Sequence, residues 1–341
     1  MLGIFWLIIW RWSAMLGISF RPKTIILLSI WMISIMIISM ILINLPLKST
    51  EIIWIILLWI IYITRVLSPL LIFRDIISIL YKIPQIVMIV LCIIRLWFGI
   101  YKGTTIKITP LAISNENITK AYKIVFISDI HVEAIHHHRY IQSIVNQIKK
   151  LKPDFVLIGG DLMNTAKPSY VYAFSPFNQL DIPIYATLWN HDHMWNSWAV
   201  SQIFEKTNII VLRNKSIDLQ GLQIVGIDDK SYRWNKKLDD ILQESKISNS
   251  GQFTILVSHQ PQKLIKLAWY PINLQLAWHT HNWQFIPFSW IIWLFNDYSY
   301  WKYNYNDMTA FVSQGVGSRW APIRIWTQSE LVIISLTPKT K

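Results

Sequence analysis

Asp129 and His131 follow the apolar run KIVFIS, Asp161 follows FVLIGG and Asn190 follows PIYATLW. His259 follows FTILVS, and His279 and His281 follow LQLAW. Carboxylate, amide oxygen and imidazole are donors for borderline or hard divalent ions such as Mn, Fe or Zn. These seven donors exceed what one tetrahedral ion takes and suit two ions that share a carboxylate. Asp-x-His or Gly-Gly-Asp alone is a weak pattern, and a single His at a strand end is ordinarily a surface or hydrogen-bonded residue. DIH, GGD, NHD, VSH and HTH in that order, each behind an apolar run, make a metal centre the stronger reading.

The preceding runs are short and rich in Ile, Val, Leu and Phe, which predicts buried strands. Side chains just past the carboxyl ends of neighbouring strands converge on one crevice. Between the first two strands lies a helix over 139–150, with Ile141, Ile144, Val145 and Ile148 on one face and Pro153 as its stop. Further strands are expected at 154–158, 182–188, 208–212, 217–219, 222–226, 253–257, 273–276, 309–313, 323–325 and 330–336. Alternating strand–helix units followed by strand-rich chain fit an α/β fold of two packed sheets flanked by helices. His136, His137 and His138 are consecutive and cannot all face one ion; they read as a solvated loop or helix start.

Six segments strengthen the pattern: S-D-I-H, G-G-D-L-M-N, N-H-D-H, S-H-Q-P, H-T-H-N-x-Q and a late G-V-G…P-I-R-I-x-T-Q-S-E. From about Lys123 to Leu336 the chain resembles the calcineurin-like metallophosphoesterase superfamily. It is most similar to the membrane-associated bacterial branch with transmembrane helices before the catalytic domain. The resemblance implies a four-layer αββα sandwich. It implies one ion on Asp129, His131, Asp161 and His281, and a second on Asp161, Asn190, His259 and His279, with Asp161 bridging. His191 matches the histidine beside the leaving group, where it would stabilise the transition state or donate a proton. Asp192 would orient His191, or cap the turn that follows. His193 has no assigned role. Protein phosphatases of this superfamily carry G-D-x-x-D-R-G, whereas G-D-L-M-N-T here has Asn164 and no following Arg, which argues against a phosphoserine or phosphothreonine substrate. Arg319 and Arg324 are candidate phosphate contacts or solvated arginines.

Trp189, Trp278, Trp283, Trp320 and Trp326 stand where the resembled family has Gly, with Trp234, Trp269, Trp293 and Trp301 as further cases. The chain has 19 Trp and 11 Gly, against roughly 24 Gly at average usage for this length. A code in which UGA specifies glycine would account for both observations. A polypeptide carrying these tryptophans is expected to have a crowded, poorly active site.

The chain is 53% hydrophobic, and the excess lies before residue 101. Residues 24–47 carry no charge and are long enough to span a hydrocarbon core. Residues 52–73, with Arg65, and 83–101, with Arg95, are further candidates, and 2–20, with Arg11, is a weaker one. The expected organisation is a transmembrane region over 1–101 with about four spans, a linker or entry strand over 102–122, and the metallophosphoesterase domain over 123–341. Arg21 and Lys23, and Arg74 and Lys82, fall in the first and third connections. The positive-inside rule then places both termini and the catalytic domain outside the cytoplasm. The net charge of +13 is scattered instead of clustered with aromatics, so it suits anionic headgroups and not a nucleic acid. The single cysteine, Cys92, excludes an intrachain disulfide or a cysteine metal site.

The expected function is that of a membrane-anchored, dinuclear phosphoesterase. Its cofactors are two divalent ions (Mn, Fe or Zn), and its partners are the lipid bilayer and a phosphate-ester substrate. The bond is a phosphodiester, pyrophosphate or phosphomonoester in a lipid or envelope precursor, hydrolysed by metal-activated water. The apolar loop 284–305, FIPFSWIIWLF onward, is a candidate lipid or acyl-chain contact or a plain hydrophobic cap. The alternative function is a catalytically impaired membrane scaffold that keeps the fold.

Overall fold

Runs of Ile, Val, Leu and Phe become strands, and two sheets result. A computed structural model describes residues 85–132, 138–163, 168–188, 202–228, 237–248, 251–278, 297–318 and 322–339. The chain divides into two compact units, Met1–Trp97 and Phe98–Lys341.

The first sheet holds β1 (Lys107–Asn115), β2 (Tyr122–Ile127), β3 (Phe155–Ile158), β4 (Ile184–Ala186), β5 (Ile209–Val211) and β12 (Glu330–Pro338), in the order β1-β12-β2-β3-β4-β5. β2 to β5 are parallel, and β12 runs antiparallel to β2 and parallel to β1. The second holds β6 (Lys215–Asp218), β7 (Leu222–Gly226), β8 (Phe253–Val257), β9 (Leu274–Ala277), β10 (Trp301–Tyr305) and β11 (Met308–Val312), in the order β10-β11-β9-β8-β7-β6. Its central strands are parallel, and β6 and β10 are antiparallel edges. β3 (FVLI) and β8 (FTILV) are buried at every position, and their near-continuous apolar runs are what strands covered on both faces require.

Alternation along β2 shows how the layers are built. Ile124 and Phe126 point into a core with Leu157, Ile255, Leu276 and Val332, drawn from both sheets. Val125 and Ile127 point the other way, onto Ile141, Ile144, Val145 and Ile148 of α2 (His138–Leu151). The 3₁₀ helix Tyr172–Gln179, which continues the short α3 (Pro168–Val171), adds Phe174 and Phe177 to that layer. On the far side Val225 and Leu256 meet Ile241 and Leu242 of α4 (Leu238–Glu244) and Leu264 and Leu267 of α5 (Leu264–Leu267). Helices therefore cover both outer faces of a two-sheet sandwich. Each fully buried Ile or Phe adds about 1.5–3 kcal/mol through removal from water.

α1 spans Gln85–Thr104. The segment 83–101, read as a third span, is helical from Gln85 onward, and Arg95 interrupts its apolar run. Among the described residues no helix is long and apolar enough to cross a membrane. The other three span candidates lie outside the described residues.

Two segments differ from the sequence reading, and a third decides between its alternatives. Of residues 102–122, read as a linker or entry strand, 107–115 form the strand β1: Leu111 is buried and the backbone pairs along all of β12. Residues 323–325 are not a strand; the Arg324 amide bonds to the Gly99 carbonyl of α1 at 2.9 Å and leaves both sheets. The end of the apolar loop 284–305 is the edge strand β10, paired to β11; residues 284–296 lie outside the described residues.

Trp301 opens β10 at φ +80°, a left-handed conformation that costs a side-chain-bearing residue roughly 1–2 kcal/mol. Its ring is 45% exposed and tilts onto Phe311, with centroids 5.7 Å apart. Trp301→Ala and Trp301→Gly both lose that contact, but glycine alone relieves the backbone. The glycine variant is expected to exceed the alanine variant in stability by about 1 kcal/mol in urea unfolding. Equal stabilities would remove the structural case for glycine at this position.

Candidate metal centre

β2 and β3 end side by side at Ile127 and Ile158. The loops that leave them are laced together by backbone bonds: Gly159 N–H to Ile127 O (2.7 Å), Asp129 N–H to Gly160 O (3.1 Å), His131 N–H to Asp161 O (2.9 Å) and Val132 N–H to Leu162 O (2.8 Å). This lacing holds Asp129, His131 and Asp161 in left-handed backbone, at φ +53°, +50° and +58°. Asp and His tolerate this region better than most residues, and such outliers gather at functional sites. In this conformation the His131 imidazole turns towards both Asp129 and Asp161.

The second sheet supplies His259 just past β8. Its carbonyl accepts from the Trp278 N–H at 3.0 Å, and this joins the ends of β8 and β9. Donor atoms of Asp129, Asp161 and His259 all lie within 4.8 Å of one another, and all three residues are buried. His131 Nε2 is 3.8 Å from Asp129 Oδ1 and 3.7 Å from Asp161 Oδ2. These separations are too long for hydrogen bonds. They match the spacing of donors that ring one ion, about 3–4 Å apart when each sits about 2.1 Å from it. Two adjacent carboxylates at 0% and 4% exposure need positive charge beside them. The donor set therefore fits a divalent cation.

Asn190, His191, Asp192, His279, His281 and Arg319 lie outside the described residues. Of the seven expected ligands, the structure brings together Asp129, His131, Asp161 and His259. Arg324 is neither a phosphate contact nor a solvated arginine. It is fully buried and donates to the carbonyls of Gln314, Gly315, Gly317 and Gln328. His138 is exposed at the start of α2, as a solvated helix start requires, and His136 and His137 lie outside the described residues.

Trp278 is wholly buried, with its ring centroid 5.7 Å from Phe126 and 5.6 Å from His259. It fills the inter-sheet core beside a ligand, and a Cβ on Gly159 would come within 2.8 Å of it. Trp269 and Trp326 are exposed; Trp189, Trp234, Trp283, Trp293 and Trp320 lie outside the described residues.

The late G-V-G segment has a task that its residue types alone do not announce. Residues 313–318 press on the first ligand loop: Val316 N–H donates to Ser128 O (2.8 Å) and Gly317 N–H to Asp129 O (2.9 Å). Gly315 sits at φ +79°, and a Cβ there would lie 2.6 Å from Asp129 Oδ2. The two glycines were the available signal, since close backbone approach excludes a side chain.

A family model for calcineurin-like phosphoesterases matches residues 122–310. An uncharacterized metallophosphoesterase of Helicobacter pylori is 29% identical over 254 residues, covering 72% of this chain and 68% of that protein. One of Campylobacter jejuni is 28% identical over 269 residues, covering 76% and 71%. A Danio rerio transmembrane protein with a metallophosphoesterase domain is 27% identical over 232 residues, covering 63% and 53%. Among solved structures, Haemophilus influenzae NAD nucleotidase aligns with a TM-score of 0.42 and 17% identity over 59% of this chain and 46% of that one. The matched stretch contains every residue of the buried cluster, and the chain belongs to the calcineurin-like phosphoesterase family, as a metal-dependent phosphoester hydrolase.

Proposed function

We propose that the chain is a membrane-anchored phosphoesterase with a dinuclear centre bridged by Asp161. Its bond is a phosphodiester, pyrophosphate or phosphomonoester in a lipid or envelope precursor. The observation that carries this reading is the convergence of Asp129 and Asp161 from one sheet with His259 from the other, within 4.8 Å. Asp161 lies within 4.8 Å of both Asp129, after β2, and His259, after β8, which suits a shared donor. Divalent ions held there would supply an activated water and offset charge on a phosphoryl oxygen.

The protein's own part is positioning. Asp129, His131, Asp161 and His259 come pre-arranged, so little reorganisation accompanies reaction. Asn190, His279 and His281 complete the two ligand sets by sequence match. His191 would hold a proton at the leaving oxygen, with Asp192 orienting its imidazole. Anchoring is supported by the uncharged stretch 24–47. It is also supported by the apolar side of α1, where Ile93, Ile94 and Trp97 are 62%, 56% and 66% exposed. The distribution of Arg and Lys around the apolar stretches supports a catalytic domain outside the cytoplasm.

A second reading, a scaffold with little turnover, is favoured by one observation: Trp278 packs against His259. The gene separates the two. Under a code in which UGA specifies glycine, codons 189, 278 and 283 are TGA, and the native protein has glycine beside His259. TGG at these codons makes the tryptophans real and favours the scaffold.

With glycine restored at 189, 278 and 283, the full chain in detergent with Mn²⁺ is expected to hydrolyse a bis-aryl phosphodiester. A chelator should abolish the rate, and Asp161→Asn should lower it at least about 100-fold while the far-ultraviolet spectrum is kept. Turnover that survives both treatments would exclude the metal site as its source. Gly315→Ala, which drives a Cβ against Asp129 Oδ2, should raise the Mn²⁺ concentration needed for half activity by about 10-fold.

A further inference from the structure

Arg324 has five N–H donors, and each has a partner. Nε donates to Ser318 Oγ (3.3 Å), Nη1 to Gln314 O (3.0 Å) and Gln328 O (3.1 Å), and Nη2 to Gly315 O (3.0 Å) and Gly317 O. Four of the five acceptors belong to the loop 313–318. Burial lowers the guanidinium pKa, while Tyr140, Asp129 and Glu330 nearby oppose that shift.

Glu330 grips the same loop from the other end. Its Oε2 accepts from Ser313 Oγ (3.1 Å) and the Gln314 N–H (3.0 Å), and its Oε1 accepts from Thr109 Oγ1 (2.7 Å) and Tyr300 OH (3.2 Å). Burial first, then the Glu330 charge, holds the Tyr300 phenol above its ordinary pKa, so it stays a donor. The Gly315 N–H goes to Ser313 Oγ (3.0 Å), and Tyr140 OH donates to the Val316 carbonyl.

Every backbone N–H and C=O from Gln314 to Gly317 is thus engaged, and two of the N–H groups reach Ser128 and Asp129. The base of this arrangement is fixed too. Ser329 bonds to α1 through its N–H to Lys102 O (3.1 Å) and its Oγ to Gly103 O (2.7 Å), and a Cβ on Gly103 would lie 2.2 Å from Pro322 O.

We infer that Arg324 and Glu330, with Tyr140, form a positioning clamp that holds the 313–318 loop against Asp129 and so sets the affinity of the metal centre. Buried charged groups kept merely for stability could be replaced by apolar side chains at little cost. Here the charged groups instead hold four consecutive peptide units against a ligand residue. The inference rests on the dinuclear reading above.

The test is Mn²⁺ titration calorimetry on the full chain in detergent, beside thermal unfolding. Lysine at 324 offers three donors in place of five, so Arg324→Lys is expected to raise the Mn²⁺ Kd by roughly 10-fold or more. Tyr140→Phe, which deletes only the hydroxyl bonded to the Val316 carbonyl, should raise it less, and kcat at saturating Mn²⁺ should recover in both. Should Arg324→Lys fail to fold, Tyr140→Phe decides. Variants that lower the unfolding temperature but keep the wild-type Kd would overturn the clamp. Failure of the wild-type chain itself to bind Mn²⁺ would overturn the metal-centre reading, and the clamp with it.

Discussion

Two buried carboxylates, Asp129 and Asp161, face each other with imidazoles on either side. Like charges at that distance in a water-poor site repel strongly unless a cation lies between them. Most of what is unusual in the catalytic unit serves to hold that arrangement. Three left-handed non-glycine residues in two adjoining loops are individually unfavourable. They persist because four cross-loop backbone bonds leave the chain no other course.

The sandwich explains why ligands from distant parts of the chain can meet. Parallel strands all end on the same edge of a sheet, and β2, β3 and β8 direct their following loops to one end of the two-sheet core. Phe126, Leu157, Ile255 and Leu276 weld the sheets together behind that edge. The centre therefore inherits the stability of the core. The late segment adds a third side: β12 carries Glu330 back beside β1 and β2, and the irregular stretch before it brings Arg324 beneath the glycine loop.

Much of this was readable before any coordinates. The central strands are short runs dominated by Ile, Val, Leu and Phe, so their composition and burial left little choice, and the DIH, GGD and VSH patterns stood at their ends. Edges and loops were harder. The alternation of TIKITP left β1 as a linker or an entry strand, and what decides for the strand is pairing with residues more than two hundred positions away. Residues 323–325 look β-like because Ile323 and Ile325 flank Arg324, yet Arg324 is committed to carbonyls of a loop earlier in the chain. Its role was invisible for the same reason: a charged residue reads as surface or ligand contact until its five acceptors are in place. Trp301 shows a different failure. Its residue type predicts packing, whereas its backbone adopts the conformation that glycine adopts freely.

The most direct test is anomalous diffraction from crystals of the full chain grown with Mn²⁺. Two peaks are predicted between the sheet ends, both about 2.0–2.3 Å from carboxylate oxygens of Asp161. Asp129 and His131 should stand on one peak and His259 on the other. Peaks remote from Asp161, or side chains of Asp129, Asp161 and His259 turned away from a common point, would contradict the account.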